Sequence, residues 1–133
     1  MVLVSEVMTD TVCTVHQDKF VSEIQALMIK RKISGAPVVD DDENMVGFIS
    51  KTDITHFHSI GGDIDYAKVG EIASRKLFCI APSASVQTAA QILTENHVHH
   101  LIVTEDQRIT GILSALDLVQ LLVDNICLGR VAA

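Results

Sequence analysis

GFISKTDI at positions 47–54 returns as GILSALDL at 111–118, and both copies keep Gly, Ser and Asp in register. Upstream the likeness runs on without a gap. Val4 to Asp42 lies over Val69 to Gln107 at a constant offset (69 − 4 = 65), with one single-residue slip in the loop between the two stretches. Apolar meets apolar: Val7 with Ile72, Val12 with Leu77, Val15 with Ile80, Val21 with Val86, Leu27 with Ile92, Ile33 with Val98, Val38 with Val103. Such a unit is too long for one solenoid turn and too short to make a secure core alone. The duplication therefore predicts two half-domains packed face to face about a pseudo-two-fold axis, with function expected in the cleft between them.

Each half carries the same order of elements, β-α-β-β-α behind a short helical lead-in, so the expected fold class is α/β (α+β). The lead-ins read as Val4–Met8 and Val69–Ala73, the first strands as 12–15 and 77–80. Helices follow over Val21–Arg31 and Val86–Asn96, where apolar residues recur at three and four positions. Ser85 suits an N-cap, its hydroxyl accepting near Thr88; Phe20 stands in its place in the first half, so Asp18 caps there or the helix starts less cleanly. Strands at 36–39 and 46–50, and at 101–103 and 109–114, flank the polar loops DDDEN and EDQR of two hairpins. Closing helices read as 51–59 and 115–123. Adjacent glycines in Gly61–Asp63 mark the join, giving 1–60 as the first repeat, 61–68 as linker and 69–133 as the second repeat.

The last helix, ALDLVQLLVDNICL, is polar only at Asp117, Gln120, Asp124 and Asn125. A helix apolar on nearly every side is buried on more than one face. Either it is a generous core helix or its outer face meets another subunit, for which a homodimer is the commonest arrangement.

At 133 residues and 48% hydrophobic content, the chain is expected to be one compact soluble domain, and with 4% aromatics and no Trp its core is aliphatic. A net charge of −7 argues against nucleic acid or an anionic membrane as partner. No apolar run approaches the ~20 residues of a membrane helix and no stretch reads as a signal peptide, so a cytoplasmic protein is expected. Cys13, Cys79 and Cys127 form no CxxC pair and read as reduced, buried and inert.

With the element order, the ISGAPVVD segment (33–40) and the twin G-h-h-S-x-x-D elements (h apolar), the chain resembles a tandem cystathionine-β-synthase (CBS) domain pair, or Bateman module, over about 4–123. Such pairs regulate IMP dehydrogenase, chloride channels and an AMP-activated kinase, and also occur as free-standing small proteins. The resemblance implies an adenosine-containing ligand (AMP, ADP, ATP or S-adenosylmethionine) between the repeats, no required cofactor, a role in regulation or energy sensing, and a disk-like dimer. It also implies that each cleft takes Ser and Asp from one repeat and base-binding strands from the other.

Carried onto this chain, one site joins Ser114 and Asp117 to Thr14, Val15, Ile33, Ser34, Gly35, Ala36 and Pro37. Gly35 and Ala36 lack bulk, so backbone amides there can approach a purine edge, with Ile33 and Pro37 on its face. Only Arg31 and Lys32 offer cations nearby, which favours AMP or S-adenosylmethionine over ATP. The other site joins Ser50, Lys51 and Asp53 to Cys79, Ile80, His99, His100, Leu101 and Ile102. There His99 and His100 replace Ser34 and Gly35, and the imidazoles either hold phosphate with Lys51 or fill the cleft.

The Ser-x-x-Asp pair makes chemical sense apart from the resemblance. A carboxylate accepts both hydroxyls of a ribose diol, and the helix start adds free N–H groups and a positive dipole end. The same residues also suit a plain N-cap with a favourable first-turn acid. On a strand, His97 and His99 would share a face while His100 points away. Neither they nor His56 and His58 have a fixed third ligand, so no metal is expected. Nucleophile elbow, HExxH and Walker loop are all missing, so no enzyme is expected. The reading is a regulatory ligand-binding module, the alternative a dimeric scaffold without nucleotide; either could serve an unknown target protein.

Overall fold

The structure is a computed structural model that describes residues 1–127 and 129. Its chain forms two compact units, Cys13–Leu77 and Met1–Val12 with Phe78–Ala133. The part of the second repeat at 128 and 130–133 lies outside the described residues.

The unit Cys13–Leu77 contains β1 (Val15–His16), α2 (Val21–Arg31), β2 (Gly35–Val39), β3 (Met45–Ser50), α3 (Lys51–Ser59) and α4 (Val69–Ile72). β1 runs parallel to β2 and β2 antiparallel to β3, a right order for a strand–helix–strand crossover followed by a hairpin. The other unit repeats it with α1 (Val4–Val7), β4 (Cys79–Ile80), α5 (Val86–Asn96), β5 (His100–Glu105), β6 (Arg108–Ser114) and α6 (Ala115–Cys127), its sheet ordered β4-β5-β6. The mixed α/β class and the doubled β-α-β-β-α order are thus as expected, and α2, α3 and α5 keep their expected bounds.

The aliphatic patterning becomes two cores. Val15, Val21, Ile24, Met28, Val38, Ile49 and Ile54 are buried together in one unit, Val4, Ile80, Ala89, Leu93, Leu101, Val103 and Leu113 in the other. α2 and α5 each turn one stripe inward, as three- and four-residue spacing requires. Ser85 caps α5, its Oγ accepting from Thr88 N–H at 3.1 Å. Phe20 takes the cap position of α2 with no side-chain bond, and Asp18 does not substitute.

The lead-ins dock in a way periodicity does not reveal. Thr9 and Ile112 exchange two backbone hydrogen bonds of 2.9 Å, so α1 joins the unit that holds β6. Ser74 and Phe48 do the same at 2.9 Å, placing α4 beside β3. The 61–68 stretch is packed into this same unit: Ala67 is buried and its carbonyl accepts from Val21 N–H at 2.9 Å. Gly61, with φ +89°, ends α3 in a conformation that glycine adopts without strain.

This docking explains the leading glycine of each G-h-h-S-x-x-D element. A Cβ on Gly47 would stand 2.9 Å from the Ser74 carbonyl oxygen and 3.3 Å from Ala73 Cβ; one on Gly111 would meet Met8 Sδ at 2.5 Å and the Thr9 carbonyl at 3.0 Å. Backbone cannot move aside as a thioether can. Gly47→Ala is therefore expected to cost about 1–3 kcal/mol, the usual range for overpacking, and Gly111→Ala less. Urea denaturation measures both; an unchanged midpoint for Gly47→Ala would contradict the close approach.

The first strands are shorter than expected and shifted, at 15–16 and 79–80 instead of 12–15 and 77–80, because only those residues face the parallel neighbours Val38–Val39 and Ile102–Val103. β5 and β6 are longer, and Asp106 and Gln107 take φ of 51° and 65° to turn between them. His97 is not on a strand. It caps α5 in the left-handed region at φ 53°, so it shares no strand face with His99, and β5 starts only at His100. The cysteines differ as well: all are free, but Cys13 is half-buried and Cys79 and Cys127 are exposed. Two-residue β4 lies too near the surface to cover Cys79.

Candidate functional site

Each hairpin ends in a serine that starts a helix, and its backbone register fixes what lies beside it. Ser50 is the N-cap of α3. Its Oγ accepts from Asp53 N–H at 3.2 Å, while Asp53 Oδ2 accepts from Ser50 N–H at 2.8 Å and from Ser50 Oγ–H at 2.9 Å. Ser114 repeats the arrangement at α6: Asp117 N–H donates to Ser114 Oγ at 3.2 Å, and Ser114 N–H to Asp117 Oδ2 at 2.8 Å. The capping reading of Ser-x-x-Asp therefore holds in both halves. The box runs through Oδ2 alone. Oδ1 takes no part in it, so capping does not exhaust the acceptors of either carboxylate. Asp53 and Asp117 are both half-buried.

Beside each box runs the strand singled out for its small or basic residues. Gly35 pairs with Ser50 and Ala36 with Ile49, and Lys51 N–H donates to the Ser34 carbonyl at 2.9 Å. In the other unit His100 pairs with Ser114 and Leu101 with Leu113, and Ala115 N–H donates to the His99 carbonyl at 2.9 Å. One backbone scaffold thus carries two different side-chain sets: Ser34, Gly35 and Ala36 leave little bulk beside Ser50 and Asp53, while His99 and His100 stand beside Ser114 and Asp117.

Thus Thr14, Val15 and Ile33–Pro37 share a unit with Ser50, Lys51 and Asp53; Cys79, Ile80 and His99–Ile102 share one with Ser114 and Asp117. Val15, Ala36, Pro37, Ile80, Leu101 and Ile102 are buried, whereas Thr14, Lys51, Cys79 and His99 are exposed and Ile33, Ser34, Gly35 and His100 half-buried. Burial leaves the first group little besides backbone to offer. The Cys79 thiol is pushed above its ordinary value by desolvation, opposed by a hydrogen bond with Thr104, so it is protonated near neutral pH. Thr104 carries no sequence signal. It approaches Cys79 because Cys79 pairs with Ile102, two residues earlier on β5. Among the described residues, no helix is long and apolar enough to cross a membrane.

Solved structures share the fold. The chain aligns with a conserved protein from Pyrococcus horikoshii at a TM-score of 0.85 and 25% identity, over 91% of this chain and 92% of that one. It aligns with the CBS domain pair of protein MJ0100, solved in complex with 5'-methylthioadenosine and S-adenosyl-L-methionine, at a TM-score of 0.84 and 22% identity, over 94% and 98%. By sequence it is 31% identical over 122 residues to protein MJ1232 of Methanocaldococcus jannaschii, a match that takes in 90% of this chain but 39% of that protein. Inosine-5'-monophosphate dehydrogenase of the same organism matches at 28% over 116 residues, 22% of the enzyme's length. The CBS domain model matches twice, at residues 4–59 and 69–124, which are the two copies of the duplication. With most of its length in those two matches, this chain belongs to the CBS-domain family.

Proposed function

We propose that this chain is a regulatory module that binds an adenosine-containing ligand and answers with a change of conformation or assembly, without catalysis of its own. The observation that carries this reading is the pair of Ser-x-x-Asp boxes, each holding a half-buried carboxylate through one oxygen while the other stays outside the cap. A ribose diol needs such an acceptor. That the CBS pair of MJ0100 was solved with two adenosine compounds supports the ligand class. Following the family resemblance, one ligand takes Ser114 and Asp117 with Thr14, Val15 and Ile33–Pro37; a second takes Ser50, Lys51 and Asp53 with Cys79, Ile80 and His99–Ile102.

Few cations accompany the first set, so AMP or S-adenosylmethionine fits it better than ATP. Differential affinity for two arrangements of the protein then shifts their populations, which is the signal passed to a target protein. The module works as a cytoplasmic homodimer, joined through α6. Titration calorimetry with AMP, ATP and S-adenosylmethionine on the full chain tests the reading; no heat from any of the three at saturating concentration would refute it. The second reading, a dimeric scaffold that ignores nucleotides, draws on the exposed apolar face of α6, where Leu116 is 71% and Val119 52% exposed. A target protein whose binding is unchanged by nucleotide would favour it.

A further inference from the structure

We propose that Met8 is a reversible oxidation site: a peroxide converts its thioether to a sulfoxide, and the N-terminal strap 1–12 then lets go of β6. The strap is fastened at two places. At its front, Val4 N–H donates to the Ala84 carbonyl at 2.8 Å and Ser5 N–H to the Pro82 carbonyl at 3.0 Å, while the Val2 carbonyl accepts from Val86 N–H at 3.0 Å. Val4 is fully buried there. At its rear stand Met8 and the two 2.9 Å bonds of Thr9 with Ile112. Met8 Sδ lies 2.5 Å, and its Cγ 3.0 Å, from the point that a Gly111 Cβ would occupy, so the thioether fills the place of the missing side chain. Met8 itself is half-buried, packed with Val7 against the core that contains Leu101, Val103 and Leu113.

The chemistry is a two-electron oxygen transfer. With hydrogen peroxide, the S–O bond forms as the O–O bond breaks, sulfur loses two electrons, and the other oxygen leaves as water with both protons. The product is larger, chiral and polar. A close-packed apolar contact accommodates such a group poorly, so the sulfoxide is driven off its seat on Gly111. The rear of the strap yields first, because Thr9 is exposed and follows Met8 directly, whereas the front is anchored by buried Val4.

The duplication supplies an internal control. At the offset of 65, Met8 and Thr9 correspond to Ala73 and Ser74. Ser74 pairs with Phe48 through the same two bonds, and Ala73 Cβ lies 3.3 Å from the matching point on Gly47. A methyl group therefore suffices at this joint, and the fold does not demand the sulfur. The other methionines give references: Met1 is 99% exposed and Met28 1%.

The test treats the full, nucleotide-free chain with hydrogen peroxide, then with a thiol reductant to restore the cysteines, and reads it by peptide mass spectrometry joined to amide hydrogen exchange. Met8 is expected to gain oxygen well before Met28. Exchange across 4–12 and 109–113 should then speed by about tenfold or more, as in a local opening, with 69–76 unchanged. A methionine sulfoxide reductase should restore the slow exchange. Met8→Leu keeps the apolar volume without the sulfur, so peroxide should leave its exchange as it was. Met8 sulfoxide with unchanged exchange at 4–12, a Met8 that oxidises no faster than Met28, or a peroxide response that persists in Met8→Leu would each overturn the proposal.

Discussion

Saturating S-adenosylmethionine or AMP is expected to raise the melting temperature of the wild-type chain by roughly 8 °C per occupied set, and Asp117→Asn to remove the share that the Ser114–Asp117 set contributes. A ligand at a hundred times its dissociation constant adds about 2.7 kcal/mol to folded-state stability, and a domain of this size gains about 3 °C per kcal/mol. Asp117→Ala tests the same idea less cleanly, because it also removes the acceptor of Ser114 N–H at 2.8 Å. Loss of that box lowers the unliganded melting temperature by about 1 kcal/mol's worth. Asn keeps an amide oxygen for the box but places a donor where the second carboxylate oxygen stood, so it spares the cap and loses the diol. A wild-type rise that persists in full in Asp117→Asn would remove Asp117 from the site. Asp53→Asn reports separately on the Ser50–Asp53 box. A rise lost in one variant and kept in the other would show unequal sites.

The second large effect is expected at α6. Leu116, Val119, Leu122, Val123 and Ile126 are 71, 52, 49, 45 and 37% exposed, and their spacing puts them on one face of the helix. Beside that helix, Ala90, Leu93, Thr94, His97, Val98, His99, Ala115 and Leu118 line a mostly apolar groove of about 430 Å³ against α5. A continuous apolar face of this kind is covered in most proteins, and a second copy supplies the same face in return. Leu122→Glu removes about 1.5–3 kcal/mol of apolar burial per subunit and adds the cost of an unpaired carboxylate, twice over in a two-fold interface. Dimer affinity should therefore weaken by ~10³-fold or more, as about 4 kcal/mol corresponds to that factor. Sedimentation velocity across a concentration series measures it. A wild-type chain that stays monomeric at ~100 μM, or a Leu122→Glu dimer of undiminished affinity, would show that α6 is not the interface.

The capping boxes were legible because their residues come in short, rigid motifs. Ser50–Asp53 and Ser114–Asp117 lie within one helical turn, so their geometry is local and each box could be drawn from the sequence. Gly47 and Gly111 were visible only as repeated letters; their reason, a backbone passing at Ser74 and Thr9, comes from chain far away. His97 misled for the opposite cause. The HxHH spacing suits a strand, but α5 runs to Asn96 and needs a left-handed residue to end it, which His97 supplies. The cysteines misled because an apolar strand pattern promises burial that a two-residue edge strand does not deliver.

By itself, the sequence determined the duplication, the order of elements in each copy, the bounds of α2, α3 and α5, and the capping boxes, since periodicity and capping are properties of neighbouring residues. Only the tertiary structure decided that α1 docks with β6 and α4 with β3, and that Asp41 returns to His16. Those outcomes rest on hydrogen bonds such as Thr9 with Ile112 and on the parallel register of β1 with β2. A four-residue helix has too few side chains to specify its dock. That choice is made by unpaired strand backbone elsewhere in the chain, which no local pattern records.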